Sequence, residues 1–364
     1  MTVALSTIAV EELPAAARHD WAAGLRITLP TPILDALRGS RTVDWRETAH
    51  ALRRVAAFTD RAPTSSRLPI SYHAIPRVLR TIIAKAIGRA RRAQESDWAR
   101  YPIWPIDLSA DLAADIAGEV SPLVGQSTPV LLSHDLDSPE GLRNALSLFA
   151  PIEAAVGAKA VHYVVPCAWP VDHGLVDALA AQGHEIGVHG YNHSNKTPFA
   201  PPAERERRLL AARPFIDRHG VVGYRAPSLL RTEPLLIALS RYYRYDSSVP
   251  TSGGLFPVPN NGCATARPFV LAGIRELPIS LPRDGSLLFL GYKPEEILTL
   301  WKEVADLVSR SRGMVSLLTH CEAHFSGNEP MLTIYREFLQ WLAADGRFRF
   351  MRPRDLVDSL ESSA

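Results

Sequence analysis

The sequence predicts an α/β protein, a distorted TIM-like (β/α) barrel over residues 121–364 preceded by a mainly helical extension over residues 1–120. Three observations carry that prediction. Apolar stretches of strand length at 129–135, 160–166, 185–189, 221–225, 274–279 and 314–320 alternate with helical patterns at 139–156, 173–182, 202–219, 233–241, 294–311 and 330–345. Such alternation makes a parallel sheet, whose natural closed form is a barrel. Titratable residues recur at the ends of those strands, where parallel barrels keep their chemistry. Before residue 120 the pattern changes to short amphipathic segments joined by proline-containing links.

Composition bounds the reading further. With 364 residues, 46% hydrophobic and 21% charged, the chain can bury a sizeable core. A net charge of +2 at pH 7 supplies no bulk attraction to nucleic acid. Cys167, Cys263 and Cys321 are too widely spaced for a metal cluster and odd in number, as in a reducing compartment. The first residues lack a basic start followed by an apolar core, and no uncharged apolar run is long enough to cross a bilayer. A cytoplasmic protein is expected.

In the extension, residues 44–58 and 76–94 carry apolar side chains at helical spacing. The second has a basic opposite face. It reads as a helix docked on its own domain with its arginines in water, or as one resting on an anionic membrane surface or a lipid-linked phosphate. Residues 101–107, with two prolines and two aromatics, form an extended connector packed on the main domain.

The first barrel strand runs Pro129-Val-Leu-Leu-Ser-His-Asp-Leu-Asp137. Residues two apart on a strand share a face, so Asp135 and Asp137 project together from its C-terminal end. Two adjacent carboxylates need a compensating cation. About fifty positions later, Gly-His-Glu-Ile-Gly-Val-His-Gly-Tyr-Asn-His places His189 and His193 four apart, the spacing of one helical turn. A carboxylate and two histidines make an open metal site with room for water and substrate. Alternatively, Asp135 and Asp137 cap the helix starting near Pro139. Arg225 ends another strand, Asp246 follows a short β-prone run, and His320 closes Met-Val-Ser-Leu-Leu-Thr-His. Trp169, after the second strand, is placed to stack on a sugar or to pack. Residues 250–268, rich in Gly, Pro and Asn, form a long loop that could act as a lid.

From Thr128 to about Asp355 the chain resembles the polysaccharide deacetylase family with the NodB-homology domain, whose five motifs occur here in order. The resemblance implies Asp135 as general base and Asp137, His189 and His193 as ligands of a divalent metal, zinc by the family pattern, with cobalt or nickel as alternatives. The acids have one residue between them rather than being adjacent, as in one variant of the family. Arg225 and Pro227 correspond to the third motif, with Arg225 orienting the base. Ser228 stands where an aromatic is usual, its N–H available to an oxyanion. Asp246 corresponds to the fourth motif and would tune the acid, although Pro250 replaces the usual tryptophan. Leu318 and His320 correspond to the fifth, His320 as general acid and Leu318 against the acyl methyl.

The implied activity is metal-dependent removal of an N-acetyl group from an amino sugar, a glycan precursor or a related small amide. Two rivals stand beside it. Cytoplasmic members of the superfamily resemble allantoinases and cyclic-imide hydrolases, which open small rings, and a degenerate member would bind a glycan without cleaving it.

Overall fold

The structure, a computed structural model, describes residues 3–39, 42–67, 77–125, 127–253 and 261–362. Its first unit is a pair of antiparallel strands, β1 (Leu5–Ala9) and β2 (Arg26–Pro30), which the helical reading of the extension did not include. Both segments are short, and their period-two apolar pattern is easily lost among neighbouring turns. Helices Trp45–Val55 and Ser109–Ile116 pack beside this pair in a small core built from Ile8, Ile27, Leu29, Leu52 and Leu112. Asp44 starts the first of them by accepting from the Glu47 N–H at 2.9 Å.

The main sheet comprises β3 (Thr128–Leu136), β4 (Ala160–Val164), β5 (Glu185–Val188), β6 (Gly223–Tyr224), β7 (Tyr245–Asp246), β8 (Phe269–Leu271), β9 (Ile274–Glu276), β10 (Val315–His320) and β11 (Phe348–Phe350). Pairing runs β10-β3-β4-β5-β6-β7-β9-β8, with β11 also on β3. All pairs are parallel except β8 with β9. The sheet curls with helices packed on it into the distorted TIM-like form expected. Among the described residues no pairing joins β8 back to β10, so the barrel is incomplete.

The six expected strands are present, several of them shorter than the apolar runs that signalled them. The pattern over 202–219 divides into helices Pro202–Leu210 and Arg213–His219, the second opening on Pro214, whose missing N–H suits a first turn. Helix Asp284–Leu290 lies in a stretch left unassigned by periodicity.

Two connections shape the space above the strand ends. Helix Arg77–Arg92 lies across helix Asp284–Leu290 at Gly88, where a Cβ would come within 1.7 Å of the Phe289 carbonyl oxygen. Its far end is fixed by Arg92, 3.2 Å from Glu296 and stacked over the Tyr292 ring at 3.7 Å. The helix is docked, as expected, but through its small side at Ala84 and Gly88 rather than through the apolar face that its periodicity marked, and Arg92 is ion-paired rather than left in water. Leu79, Ile82, Ile83 and Ile87 on the opposite face are between 47% and 59% exposed. Residues 75 and 76 lie outside the described residues.

Residues 254–260 of the expected lid also lie outside the described residues. The flanks of that loop are pinned. Thr251 N–H donates to the Ile279 carbonyl at 3.0 Å, Gly262 N–H to Ala56 at 2.9 Å, and Ala264 accepts from Ala110 N–H at 2.8 Å. These flanks join the N-terminal elements to the barrel.

Candidate active site

Strand register brings the first groups together. In the β3–β10 pair, Asp135 lies opposite His320, so two strand ends 185 residues apart in sequence stand side by side. Helix capping falls to Ser138, which accepts from Gly141 N–H at 3.2 Å, leaving both aspartates out of that role. Asp137 Oδ1 lies 3.2 Å from His193 Nε2 and 3.5 Å from His189 Nε2, and receives no hydrogen bond among the described residues.

His189 and His193 do not share a helical turn, contrary to their spacing. His189 directly follows β5 and His193 sits in the irregular loop beyond it, with φ at 55°. That backbone is uncommon for a side-chain-bearing residue and is characteristic of functional loops. Gly190 makes the bend possible, since a Cβ there would meet the Pro227 ring at 2.5 Å and its φ is +68°. The two imidazoles end with centroids 5.0 Å apart and steeply inclined.

His189 Nδ1–H donates to the Arg225 carbonyl at 3.1 Å, which leaves the Nε2 lone pair facing Asp137. Burial, against the pull of Asp135, lowers the His189 pKa to about 4 and keeps the ring neutral. A neutral imidazole with its outer nitrogen held by a carbonyl is the state a metal ligand requires. Asp137, His189 and His193 therefore fit a divalent cation in charge, donor type and separation.

Asp135 is buried, 3.0 Å from Arg225 Nη1 and 3.5 Å from His189 Nε2. Burial would raise its pKa, but His189, Arg225 and His320 outweigh it and hold the carboxyl below its usual value. Arg225 is fixed on every side. Nη1 also donates to Ser133 Oγ at 2.8 Å, Nε to the Ser247 carbonyl at 2.8 Å and Nη2 to Ser247 Oγ at 2.9 Å, while the guanidinium lies 4.2 Å from the Tyr163 ring centre.

The expected partner of His320 is replaced. Asp246 accepts from Ser248 Oγ–H at 2.7 Å and from Ser248 N–H at 3.2 Å, and makes no contact with the histidine. The carboxylate at His320 is Asp284, 2.8 Å from Nδ1 through Oδ1 and accepting the His320 N–H at 2.7 Å through Oδ2. Asp284 also accepts from Gly285 N–H at 2.6 Å and Ser326 Oγ–H at 2.7 Å. Burial opposes charge on His320, yet Asp284 outweighs it and raises the pKa to about 10.

Asp135, Asp137, His189, His193 and His320 line a cavity of about 230 Å³ together with Ser228, Glu140, Glu322, His324, Phe325, Phe289 and Arg283, while Arg225 and Asp284 stand behind it. Thr81 and Ala84 of helix Arg77–Arg92 form part of its wall. Ser228 faces it with a left-handed backbone, φ 53°. Leu318 and Trp169 were expected beside the substrate and do not line this cavity. Leu318 is enclosed with Leu229 and Ile279, and Trp169 packs against the barrel core. Asp284 and Arg283 had no local signal, because 280–293 matches no strand or helix period cleanly, and helix Arg77–Arg92, legible as a helix, carried no sign that it walls the cavity.

Away from the cavity, His134, His162 and His184 gather with Glu153 in a buried polar cluster, His134 Nε2 2.6 Å from Glu153 and His134 Nδ1 2.8 Å from Thr319 Oγ1. Ala160 N–H donates to His184 Nδ1 at 3.1 Å, occupying that lone pair. This cluster cements β3 to its covering helices.

Comparison with solved structures gives the architecture a relation. A candidate polysaccharide deacetylase from Pseudomonas aeruginosa PAO1 superposes with a TM-score of 0.54 at 16% identity, over 71% of this chain and 98% of that one. One from Mycobacterium smegmatis gives 0.53 at 19%, over 65% and 91%. The fold is that of the NodB-homology deacetylases. An allantoinase, PuuE, shares this deacetylase fold equally, with a TM-score of 0.53 at 15% identity over 67% and 94%. No family model and no curated protein matches the sequence.

Proposed function

We propose that the chain is a metal-dependent hydrolase of C–N bonds that removes an N-acetyl group from an amino sugar, a glycan precursor or a related small amide. The observation that carries the reading is the convergence of Asp137, His189 and His193 between two preset dyads, Asp135–Arg225 and His320–Asp284. A divalent metal held by the first three, zinc or alternatively cobalt or nickel, would polarise the scissile carbonyl and acidify a water. Asp135, fixed by Arg225, is placed to take a proton from the attacking water. His320, kept protonated by Asp284, is placed to give one to the departing nitrogen, without which a C–N bond breaks poorly. Ser228, on the cavity wall, is placed to offer its backbone N–H to a developing oxyanion.

The test is metal analysis of the purified protein followed by assay on acetylated amino sugars and cyclic amides. About one divalent ion per chain with acetate release supports the reading. Ring opening of allantoin or succinimide with no acetate release would transfer it to the cyclic-amide hydrolases. Absence of bound metal with no rescue by zinc, cobalt or nickel would leave a binding module. Delivery of a lipid-linked precursor from an anionic membrane surface is part of the proposal, supported by the exposed Leu79, Ile82, Ile83 and Ile87 bordered by exposed Lys85 and Arg89.

A further inference from the structure

Buried guanidinium groups are expensive unless their donors are matched. Among the described residues, three fully buried arginines are matched, although single nitrogens of the half-buried Arg53 and Arg354 also lack a hydrogen-bond partner. Arg231 donates to the Ala57 and Leu229 carbonyls at 2.6 and 2.9 Å and to Asn261 at 3.0 Å. Arg267 reaches the Ser311 carbonyl at 2.6 Å and Asp115 at 2.7 Å, and Arg225 uses every nitrogen as described above.

Arg283 departs from that pattern. It is 8% exposed and lines the catalytic cavity. Its hydrogen bond runs from Nε to Ser286 Oγ at 3.1 Å, while Nη2 is buried with no acceptor among the described residues. The neighbouring acids are committed elsewhere, Asp284 to His320 and Asp135 to Arg225. The residue therefore keeps a full positive charge and a planar pair of donors at the wall of a reaction cavity, without the carboxylate that would normally complete it.

We infer that Arg283 is a substrate-binding residue whose terminal nitrogens receive an oxyanion, a carboxylate or phosphate, carried by the substrate next to the bond that is cut. A guanidinium presents two parallel N–H groups that match the two oxygens of such a group, and hydrogen bonds of this charged kind are the strong ones. Charge is balanced over the cavity as a whole: with a divalent cation among Asp137, His189 and His193, that ion, Arg225, Arg283 and protonated His320 face Asp135, Asp137, Asp284, Glu140 and Glu322. The pull on an anion is therefore local to the open donors of Arg283. The inference rests on the cavity being the substrate site.

The experiment is calorimetric titration of the full-length, zinc-loaded protein with inorganic phosphate and, separately, with acetate, for wild type, Arg283→Met and Arg283→Lys, with zinc content measured for each. Tighter binding of phosphate than of acetate would assign a phosphoryl group, and the reverse a carboxylate. Arg283→Met should weaken the preferred anion about tenfold or more at unchanged zinc content. Arg283→Lys, which keeps the charge but not the fork, should lie between. Anion affinity unchanged in Arg283→Met at full zinc occupancy would overturn the inference while leaving the hydrolase reading intact. A wild-type chain that takes up no zinc yet binds phosphate through Arg283 would sink the hydrolase reading alone.

Discussion

Replacing Asp284 by Asn separates the two candidate partners of His320. The side chain keeps its shape and loses its charge, and the amide can satisfy only some of the donors that Asp284 now accepts, two of them from His320 itself. Taking the charge centres as ~4 Å apart with an effective dielectric of ~20, the interaction lost is ~4 kcal/mol, or about three pH units on the imidazole. That shift takes the pKa of about 10 down to near neutrality, with Asp135 and Asp137 still favouring the charged ring, so His320 is only partly protonated at pH 7. The loss in kcat should be severalfold at pH 7 and grow towards ~10²-fold as pH rises and the acid is lost. The alkaline limb of the kcat–pH profile should move to lower pH, with zinc content and KM little changed. The stability linkage has the same sign. A histidine with a raised folded pKa contributes in full below its unfolded value of 6.5, and the contribution is lost as pH rises through about 10. Chemical denaturation of wild type at pH 6 and pH 10, compared with Asp284→Asn, reads this directly. Asp246→Asn is the control and should leave the alkaline limb in place. If Asp246→Asn moved it and Asp284→Asn did not, the assignment of Asp284 would be refuted.

Asp137→Ala and His189→Ala should each lose bound metal and activity together, measured by elemental analysis and acetate release. Asp135→Asn should retain metal and lose turnover by about 10²–10⁴-fold, and loss of metal instead would mean that the two aspartates have exchanged roles. Gly88→Val would drive a side chain into the Phe289 carbonyl and lift helix Arg77–Arg92 off the cavity wall, so KM should rise severalfold with metal content unchanged; an unaltered KM would remove that helix from the binding site. Ile82→Glu combined with Ile83→Glu should abolish co-sedimentation with vesicles containing phosphatidylglycerol, and a wild-type protein that ignores such vesicles would count against membrane delivery.

Much of the site could be read before folding because its residues sit in patterns with a local physical meaning. Asp135 and Asp137 stand two apart at the end of an apolar run, so the strand period put them on one face. His189, Arg225 and His320 each end or follow a parallel strand, and the alternation of strand and helix declared where those ends would gather. The four-residue interval of His189 and His193 misled about conformation but not about proximity, because a loop bent at Gly190 brings the rings as close as a helical turn would.

The polymer's own order therefore determined which strands carry chemistry and which side chains stand at their tips. It could not say which acid meets His320, because Asp246 and Asp284 both lie in short, weakly periodic segments and the choice is made by the path of the chain between β9 and β10. Nor could it say that a helix from the N-terminal extension walls the cavity, or that Arg283 would be enclosed without a carboxylate. Those are contacts between segments far apart in sequence, fixed by packing, where no local period leaves a trace.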